Sequence, residues 1–400
     1  MQVNQEKIPQ GWKETTLAEV ADFSNGRTSP KRSNYGRYEV FGSNGVIGLS
    51  DETNFEENTI IIGRVGSYCG SLYFSKNKCW VTDNAISSRS KSNSNPIFLY
   101  YLLLTLNLNS RATGSGQPLI NQSILNSIEV KVPVFPDEQE AIADVLSSFD
   151  DKIELLRRQN KTLEKIAQTI FKEWFVKFAV NGKKLRIDNS TGLPDGWRIG
   201  KLGEYLSVSI GGDWGKETKI KSDDVQAYCL RGTDIDSLKM TGYSAQVPIR
   251  WIKKDSLEKR TITENDILIG GSGLGPIGKT LYRHPNINLL YEFPITYSNF
   301  CKRLTAKNKY YALYFEYLLS KLYKQGALER FFIGTSIPNL DMNGLLEEKV
   351  VIPDEKQIED FAKIVDFKYS KLINPQIQTL SKLRNTLLPK LMKGEIRVKS

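Results

Sequence analysis

Five segments from the first half of this 400-residue chain recur, in the same order, in its second half. IPQGWKETTL (8–17) returns as LPDGWRIGKL (193–202), matching Gly11-Trp12 with Gly196-Trp197 and Leu17 with Leu202. FEENTIIIGRVG (55–66) returns as ITENDILIGGSG (262–273), aligning Asn58, Ile60, Ile62, Gly63 and Gly66 with Asn265, Ile267, Ile269, Gly270 and Gly273. ATGSGQPLI (112–120) parallels FIGTSIPNL (332–340), and VFPDEQ (134–139) parallels VIPDEK (351–356). TLEKIAQTIF (162–171) parallels TLSKLRNTLL (379–388). A period near half the chain constrains the fold more than any local motif, because it calls for two units of similar architecture, as a tandem duplication leaves them.

Each repeat has two parts. The first carries short β-type runs such as TIIIG and DILIG between Gly-, Ser- and Asn-rich turns. FLYYLLLTL and YYALYFEYLLSKLY are its clearest helical patches. The second part opens at Pro-Asp and reads as a long helix. Proline in the first turn and acids beside it suit the unpaired N–H groups and the dipole there.

In the first helix Ile142, Phe149, Leu156, Leu163 and Ile170 fall seven apart, and Leu146, Ile153, Asn160, Ala167 and Trp174 follow each by four. That is a coiled-coil seam with one polar member, Asn160, of the kind that fixes register. The second helix repeats the pattern less regularly through Phe361, Val365 and Leu372, then Ile377, Leu380, Leu387 and Leu391. Pro375, after Asn374, is expected to kink or break it. Packed antiparallel, two helices of ~40 residues would form a spacer about 60 Å long between two similar domains. Two-fold proteins read DNA half-sites at such fixed spacings.

A formal net charge of +10 favours a polyanionic partner, nucleic acid first. The longest apolar run, FLYYLLLTLNL (98–108), is too short to span a bilayer, and MQVNQEKIPQ has no signal core, so no membrane partner is expected. Cys69, Cys79, Cys229 and Cys301 form no C-x-x-C pair, which argues against disulfides and zinc and for a cytoplasmic setting. The single histidine, His284, argues against any mechanism built on imidazole.

Two stretches imitate catalytic motifs. Gly273 to Thr280 fits G-x-x-x-x-G-K-[ST] of phosphate-binding loops. Such a loop must open a helix, yet Thr280 is followed by β-type residues and Pro285, and the matching segment GRVGSYCGSLYF (63–74) has no G-K-[ST]. Pro136-Asp137 with Asp150 and Lys152, and Pro353-Asp354 with Asp366 and Lys368, imitate a P-D…D-x-K nuclease site. The second pair of each set lies within a heptad helix, where solvated helix charges explain it better. No [ND]-P-P-Y run or strand–GxGxxG–helix unit is present.

GLPDGWRIGKLGEY (192–205), TLEKIAQTIFKEWFVKF (162–178), TLSKLRNTLLPKLMKGEIRV (379–398) and PDEQEAIADVLSSFDDKI (136–153) resemble the specificity subunit of type I restriction-modification enzymes. The resemblance covers essentially the whole chain. It implies an α/β fold of the α+β kind: two similar β-rich target-recognition domains with helical patches, separated by two long antiparallel helices that form a coiled-coil spacer. The implied boundaries are 1–137 and 181–353 for the recognition domains, and 138–180 and 354–400 for the helical regions. It further implies a non-catalytic chain that reads an asymmetric bipartite target in double-stranded DNA. Two modification subunits would dock on the helices, joined in some systems by two restriction subunits. No cofactor is implied on this chain: S-adenosylmethionine, ATP and Mg²⁺ would belong to the partners.

Base edges are read by Arg, Lys, Asn, Gln and Ser, and phosphates are held by cations, hydroxyls and backbone N–H groups. The recurring polar, Gly-rich loops are therefore the candidate interface. In the first repeat they carry Arg27, Lys31, Arg32, Asn44, Arg64 and Gln117. In the second they carry Trp214, Lys216, Arg231, Ser272, Lys279, Thr335 and Ser336. Two other readings remain open at this point. A coiled-coil interaction protein without sequence-specific DNA binding would fail a salt-dependent DNA-binding assay run with the modification subunit. A P-loop ATPase would bind nucleotide and lose it on Lys279→Ala.

Overall fold

The computed structural model describes residues 8–91, 94–114, 116, 118–241, 244, 246–282, 291–370 and 373–398. The chain divides into two compact units: unit 1, Met1–Ile153 with Leu380–Ser400, and unit 2, Glu154–Thr379. The units take the long helices in portions, divided at 153/154 and 379/380.

Unit 1 runs β1 (Trp12–Thr16), α1 (Leu17–Val20), β2 (Ala21–Asn25), β3 (Tyr38–Gly42), β4 (Gly45–Ser50), β5 (Thr59–Gly63), β6 (Leu72–Ser75), β7 (Cys79–Val81) and β8 (Ala85–Ser90). Then come α2 (Pro96–Thr105), α3 (Gln122–Asn126), β9 (Glu129–Pro133) and the start of α4 (Pro136–Phe175). One antiparallel sheet has the order β2-β8-β5-β6, a second the order β4-β3-β7, and β1 pairs with β9. In the second sheet β3 lies parallel to β7. β5, TIIIG, is buried at every position, as an interior strand covered on both faces must be. α2 starts where the sequence signals it: the Asn95 side chain accepts from the N–H groups of Ile97 and Phe98, with Pro96 in the first turn.

Unit 2 contains β10 (Ala179–Val180), β11 (Lys183–Lys184), β12 (Arg198–Lys201), β13 (Leu206–Val208), β14 (Asp224–Leu230), α5 (Ile235–Thr241), β15 (Ile249–Lys253), α6 (Lys254–Lys259), β16 (Asp266–Gly270), β17 (Thr280–Tyr282), β18 (Ile295–Tyr297) and β19 (Cys301–Ala306). It continues with α7 (Lys309–Lys324), β20 (Phe332–Ile333), β21 (Asn339–Leu340), α8 (Met342–Leu346), β22 (Lys349–Ile352) and α9 (Glu355–Ser370); α10 (Ile373–Met392) follows. Its sheets are ordered β13-β19-β16-β17 and β15-β14-β18, and β12 pairs with β22. β14 is parallel to β18. Taken in sequence order, these are the strand orders of unit 1. The β20–β21 pair stands where unit 1 has the single bridge between Thr113 and Leu119.

The repeated Gly-Trp has a structural cause in each unit. Trp12 N–H donates to the Pro9 carbonyl at 3.1 Å and Trp197 N–H to the Pro194 carbonyl at 3.0 Å. Gly11 and Gly196 have φ of +79° and +83°, the left-handed conformation that a turn of this type needs at its third residue. The turn aims the indole at the helix that leaves the domain. Trp12 Nε1 donates to Glu138 Oε1 of α4 at 3.2 Å, and Trp197 Nε1 to Gln357 Oε1 of α9 at 2.7 Å.

Every seam position of α4 is buried or half-buried. Ile142, Leu146, Ile153, Leu156, Ala167 and Trp174 are buried; Phe149, Asn160, Leu163 and Ile170 are half-buried. Ala143 and Phe171, each one place beyond the seam, are buried too, because a helix of 3.6 residues per turn drifts from a 3.5-residue repeat. Within unit 1, Asp150 pairs with Arg384 and Glu138 with Arg397, so the returning chain runs antiparallel to α4 there. Within unit 2, Phe361 and Val365 of α9 join Ala167, Phe171 and Trp174 in one core.

Pro375 falls in α10, and the residues that would show the expected kink or break, 371 and 372, lie outside the described residues. Ile377 and Leu391 are buried and Leu380 and Leu387 half-buried, while Leu372 lies outside the described residues.

Candidate nucleic-acid interface

In unit 1 the loops after β2, β3, β5 and β7 and the segment 113–120 are tied into one surface by backbone hydrogen bonds. Gly26 N–H donates to Ala85 O at 3.1 Å, Arg27 N–H to Val81 O at 3.0 Å and Asp83 N–H to Arg27 O at 2.9 Å. Ser43 Oγ donates to Asn84 O at 2.5 Å and accepts from Val65 N–H at 3.3 Å. Gly66 N–H donates to Pro118 O at 3.1 Å, and Ile120 N–H to Arg64 O at 3.0 Å. A Cβ on Gly26 would sit 2.1 Å from the Thr82 carbonyl oxygen, and one on Gly63 2.2 Å from that of Tyr68. These loops are therefore held by the scaffold rather than free to wander.

Arg27, Lys31, Arg32 and Asn44 are exposed on this surface, and Arg64 is half-buried. The Arg64 guanidinium donates to Asp83 O at 3.1 Å and that of Arg32 to Ile47 O at 3.2 Å. Neither bond neutralises the charge. Arg27 and Lys31 have no ion-pair partner among the described residues. Gln117 lies outside the described residues.

The corresponding loops of unit 2 are tied in the same way. Asp213 N–H donates to Tyr297 O at 3.0 Å, Ser298 N–H to Leu230 O at 2.8 Å, Gly271 N–H to Phe300 O at 2.7 Å and Gly273 N–H to Pro338 O at 3.1 Å. A Cβ on Gly212 would lie 2.0 Å from Ser298 O. Asp213 anchors its loop by accepting from Ser256 Oγ at 2.5 Å and Gly215 N–H at 2.9 Å. Burial alone would push its pKa up; these bonds and the nearby Arg260 bring it below the ordinary carboxylate value.

The residues singled out in unit 2 fare differently from one another. Lys216, Thr335 and Ser336 are exposed. Trp214 is half-buried, with the Arg250 guanidinium 4.3 Å from its ring centre. Arg231 grips Asp234 with two bonds of 2.9 and 3.0 Å, which push its pKa further up, and donates to Gln246 O at 2.8 Å. Lys279 pairs with Asp236 at 2.5 Å, and Ser272 is buried. Arg231 and Lys279 each have a carboxylate partner and Ser272 is buried, whereas Lys216, Thr335 and Ser336 are exposed.

Thr280, the last residue of the phosphate-loop motif, opens strand β17 rather than a helix. A Cβ on Gly270 would meet Pro276 O at 2.0 Å, so the glycine loop folds tightly on itself. Without helix N–H groups the loop cannot cradle phosphates in the P-loop manner. Asp150 and Asp366 both lie in helices: Asp150 accepts from the Tyr101 hydroxyl at 2.5 Å and pairs with Arg384, and Asp366 pairs with Lys309 at 3.6 Å. No group of His, Cys, Asp and Glu able to hold a metal ion occurs among the described residues. No helix among them is long and apolar enough to cross a membrane.

The family model of the type I restriction modification DNA specificity domain matches this chain twice, over residues 9–165 and 194–382. The chain belongs to the type I restriction-modification DNA specificity family. As a specificity chain with two recognition domains in tandem, it reads DNA for the enzyme and is not itself catalytic. It is 29% identical over 324 residues to the type I restriction enzyme MjaIX specificity subunit of Methanocaldococcus jannaschii, covering 75% of this chain and 69% of that one. The MjaVIII specificity subunit of the same organism is 22% identical over 86% of this chain and 80% of its own length. In fold the chain is similar to the S subunit of M. genitalium, with a TM-score of 0.62 at 21% identity over 98% and 97% of the two chains.

Several residues of the specificity chain's loop surface escaped the sequence reading. Ser43 and Asn84 knit unit 1's loops together, and Arg250 caps Trp214. Pairings this distant in sequence leave no local signal. The equivalence of Gly26 with Gly212 was present as an Asn-Gly and a Gly-Gly after the second strand of each repeat.

Proposed function

We propose that each unit reads one half of a bipartite, asymmetric DNA target, and that α4, α9 and α10 form the coiled-coil spacer that sets the distance between the halves. One observation carries this: the same strand orders present loops at the same places in both units, but with different side chains. Arg27, Lys31 and Arg32 of unit 1 stand against Trp214 and Lys216 of unit 2. One scaffold with two reading surfaces, the residue of a tandem duplication, suits two unlike half-sites.

In this reading Arg27, Lys31, Arg32, Asn44, Lys216, Thr335 and Ser336 meet base edges and phosphates, which their exposure supports. Arg64 and Trp214, half-buried, lie at the margins of these surfaces, with Arg231, Ser272 and Lys279 supporting from behind. The helices are the docking surface for two modification subunits and, where the system restricts, two restriction subunits. S-adenosylmethionine, ATP and Mg²⁺ are bound by those partners, and the assembly works in the cytoplasm.

The test is a methylome of cells expressing this chain with its modification subunit. A new bipartite motif with unlike halves is the expected outcome. A palindromic motif, or none, would overturn the proposal.

A further inference from the structure

The β2–β3 loop of unit 1 combines an exposed aromatic ring with a run of cations. Over residues 25–37 its only charged side chains are Arg27, Lys31, Arg32 and Arg37, with no acid among them. Arg37 is paired with Asp51 at the loop's base. At the tip, Tyr35 is 94% exposed, and its side chain has no hydrogen-bond or ring partner among the described residues. An aromatic ring left fully in water normally signals a loose loop. Here the backbone on either side is fastened to β4.

Ser33 exchanges both backbone hydrogen bonds with Leu49, at 2.8 and 3.2 Å. Tyr35 N–H donates to Ser33 Oγ at 3.2 Å. Gly36 lies so close that a Cβ would come within 2.4 Å of Ser50 N, and Arg37 N–H donates to Asp51 Oδ1 at 3.3 Å. The ring is therefore presented by an ordered loop whose preceding cations, Arg27, Lys31 and Arg32, have no ion-pair partner among the described residues.

We propose that Tyr35 is a stacking residue by which unit 1 engages a base of its half-site, an inference that rests on reading unit 1 as a DNA-recognition domain. In a duplex each base face is covered by its neighbours, so the ring stacks where a step opens, at a cost of about a few kcal/mol, and a cationic, pre-ordered loop adds no large ordering cost of its own. Aromatic and apolar wedges between base steps are a general means of deforming a duplex. The excess of positive charge around the ring selects a polyanion over a protein surface as its partner.

The same loop of unit 2 is built differently. Lys216 exchanges bonds with Trp251 of β15 as Ser33 does with Leu49 of β4. The ring beside it, Trp214, is half-buried and already has Arg250 on it. Stacking by a free ring is thus a property of one half-site.

The test uses the complex of this chain with its modification subunits and a duplex carrying the methylome-defined target, with 2-aminopurine placed at successive positions. Wild type is expected to change 2-aminopurine fluorescence in the unit 1 half-site. Tyr35→Ala should abolish that change and weaken binding by about tenfold or more, while Tyr35→Phe keeps both. The Tyr35→Ala melting temperature should match wild type, since the side chain supports nothing.

Wild-type binding by Tyr35→Ala overturns the proposal. So does equal loss in Tyr35→Phe, which would mean a hydroxyl contact, or loss of assembly without DNA, which would mean a protein contact. Absence of sequence-specific binding by the wild-type complex would fell the recognition reading itself, and Tyr35's role with it.

Discussion

At Gly211 and Gly212 adjacent glycines have opposite reasons to exist. A Cβ on Gly211 meets nothing within 4 Å, whereas one on Gly212 lies 2.0 Å from the Ser298 carbonyl oxygen and 2.4 Å from that of Tyr297. Backbone on both sides cannot yield as a side-chain tip could. Gly212→Ala is expected to destabilise unit 2 by about 1–3 kcal/mol, and Gly211→Ala to stay within roughly 0.5 kcal/mol of wild type. Urea unfolding of the two variants checks the contrast. At this scale the sequence spoke unevenly. Arg231 and Asp234 stand three residues apart, so their pairing was open to inspection. Lys279 and Asp236 are distant in the chain, and only the fold reveals that the motif's lysine already has a carboxylate.

The elements that were legible are those whose causes are local. Asn95-Pro96 caps and starts α2, the heptad of α4 follows its burial, and TIIIG and DILIG form interior strands. The parallel pairings of β3 with β7 and of β14 with β18 were not legible, because their partners lie beyond intervening strands.

β14 and β19 also carry a pH dependence. Burial pushes the thiols of Cys229 and Cys301 from an ordinary 9.0 to about 12. Unfolded, they ionise from about pH 9; folded, they stay protonated. The unfolded state then binds fewer protons, so this contribution to stability is full below pH 9 and is lost as pH rises towards 12. Urea midpoints should fall between pH 7.5 and 10, and fall less in a Cys229→Ala, Cys301→Ala double variant. An unchanged slope in that variant would place the alkaline sensitivity elsewhere.

On the scale of the whole molecule, the tandem repeat predicted two similar units, and two units with matching strand orders are found. What the repeat did not disclose is how the chain is shared between them. Leu391 and Met392, from the far end of α10, are 2% and 5% exposed and belong to the same core as Leu17, Ile142 and Leu146. Arg384 and Arg397 supply partners for Asp150 and Glu138. A chain lacking residues 380–400 should lose the stability of unit 1 while unit 2 keeps its own. Calorimetry would register this as one melting transition lowered or lost and the other retained. Two transitions at their original temperatures would contradict it.

The same sharing bears on how the protein is made. Synthesis delivers β1 to β9 early, but the residues that seal their core arrive after all of unit 2. While the ribosome is still translating unit 2, Ile142 and Leu146 have no Leu391 or Met392 to cover them. The first unit to emerge is thus the last to be closed, and a nascent chain in that interval presents an apolar helix face for a chaperone to hold.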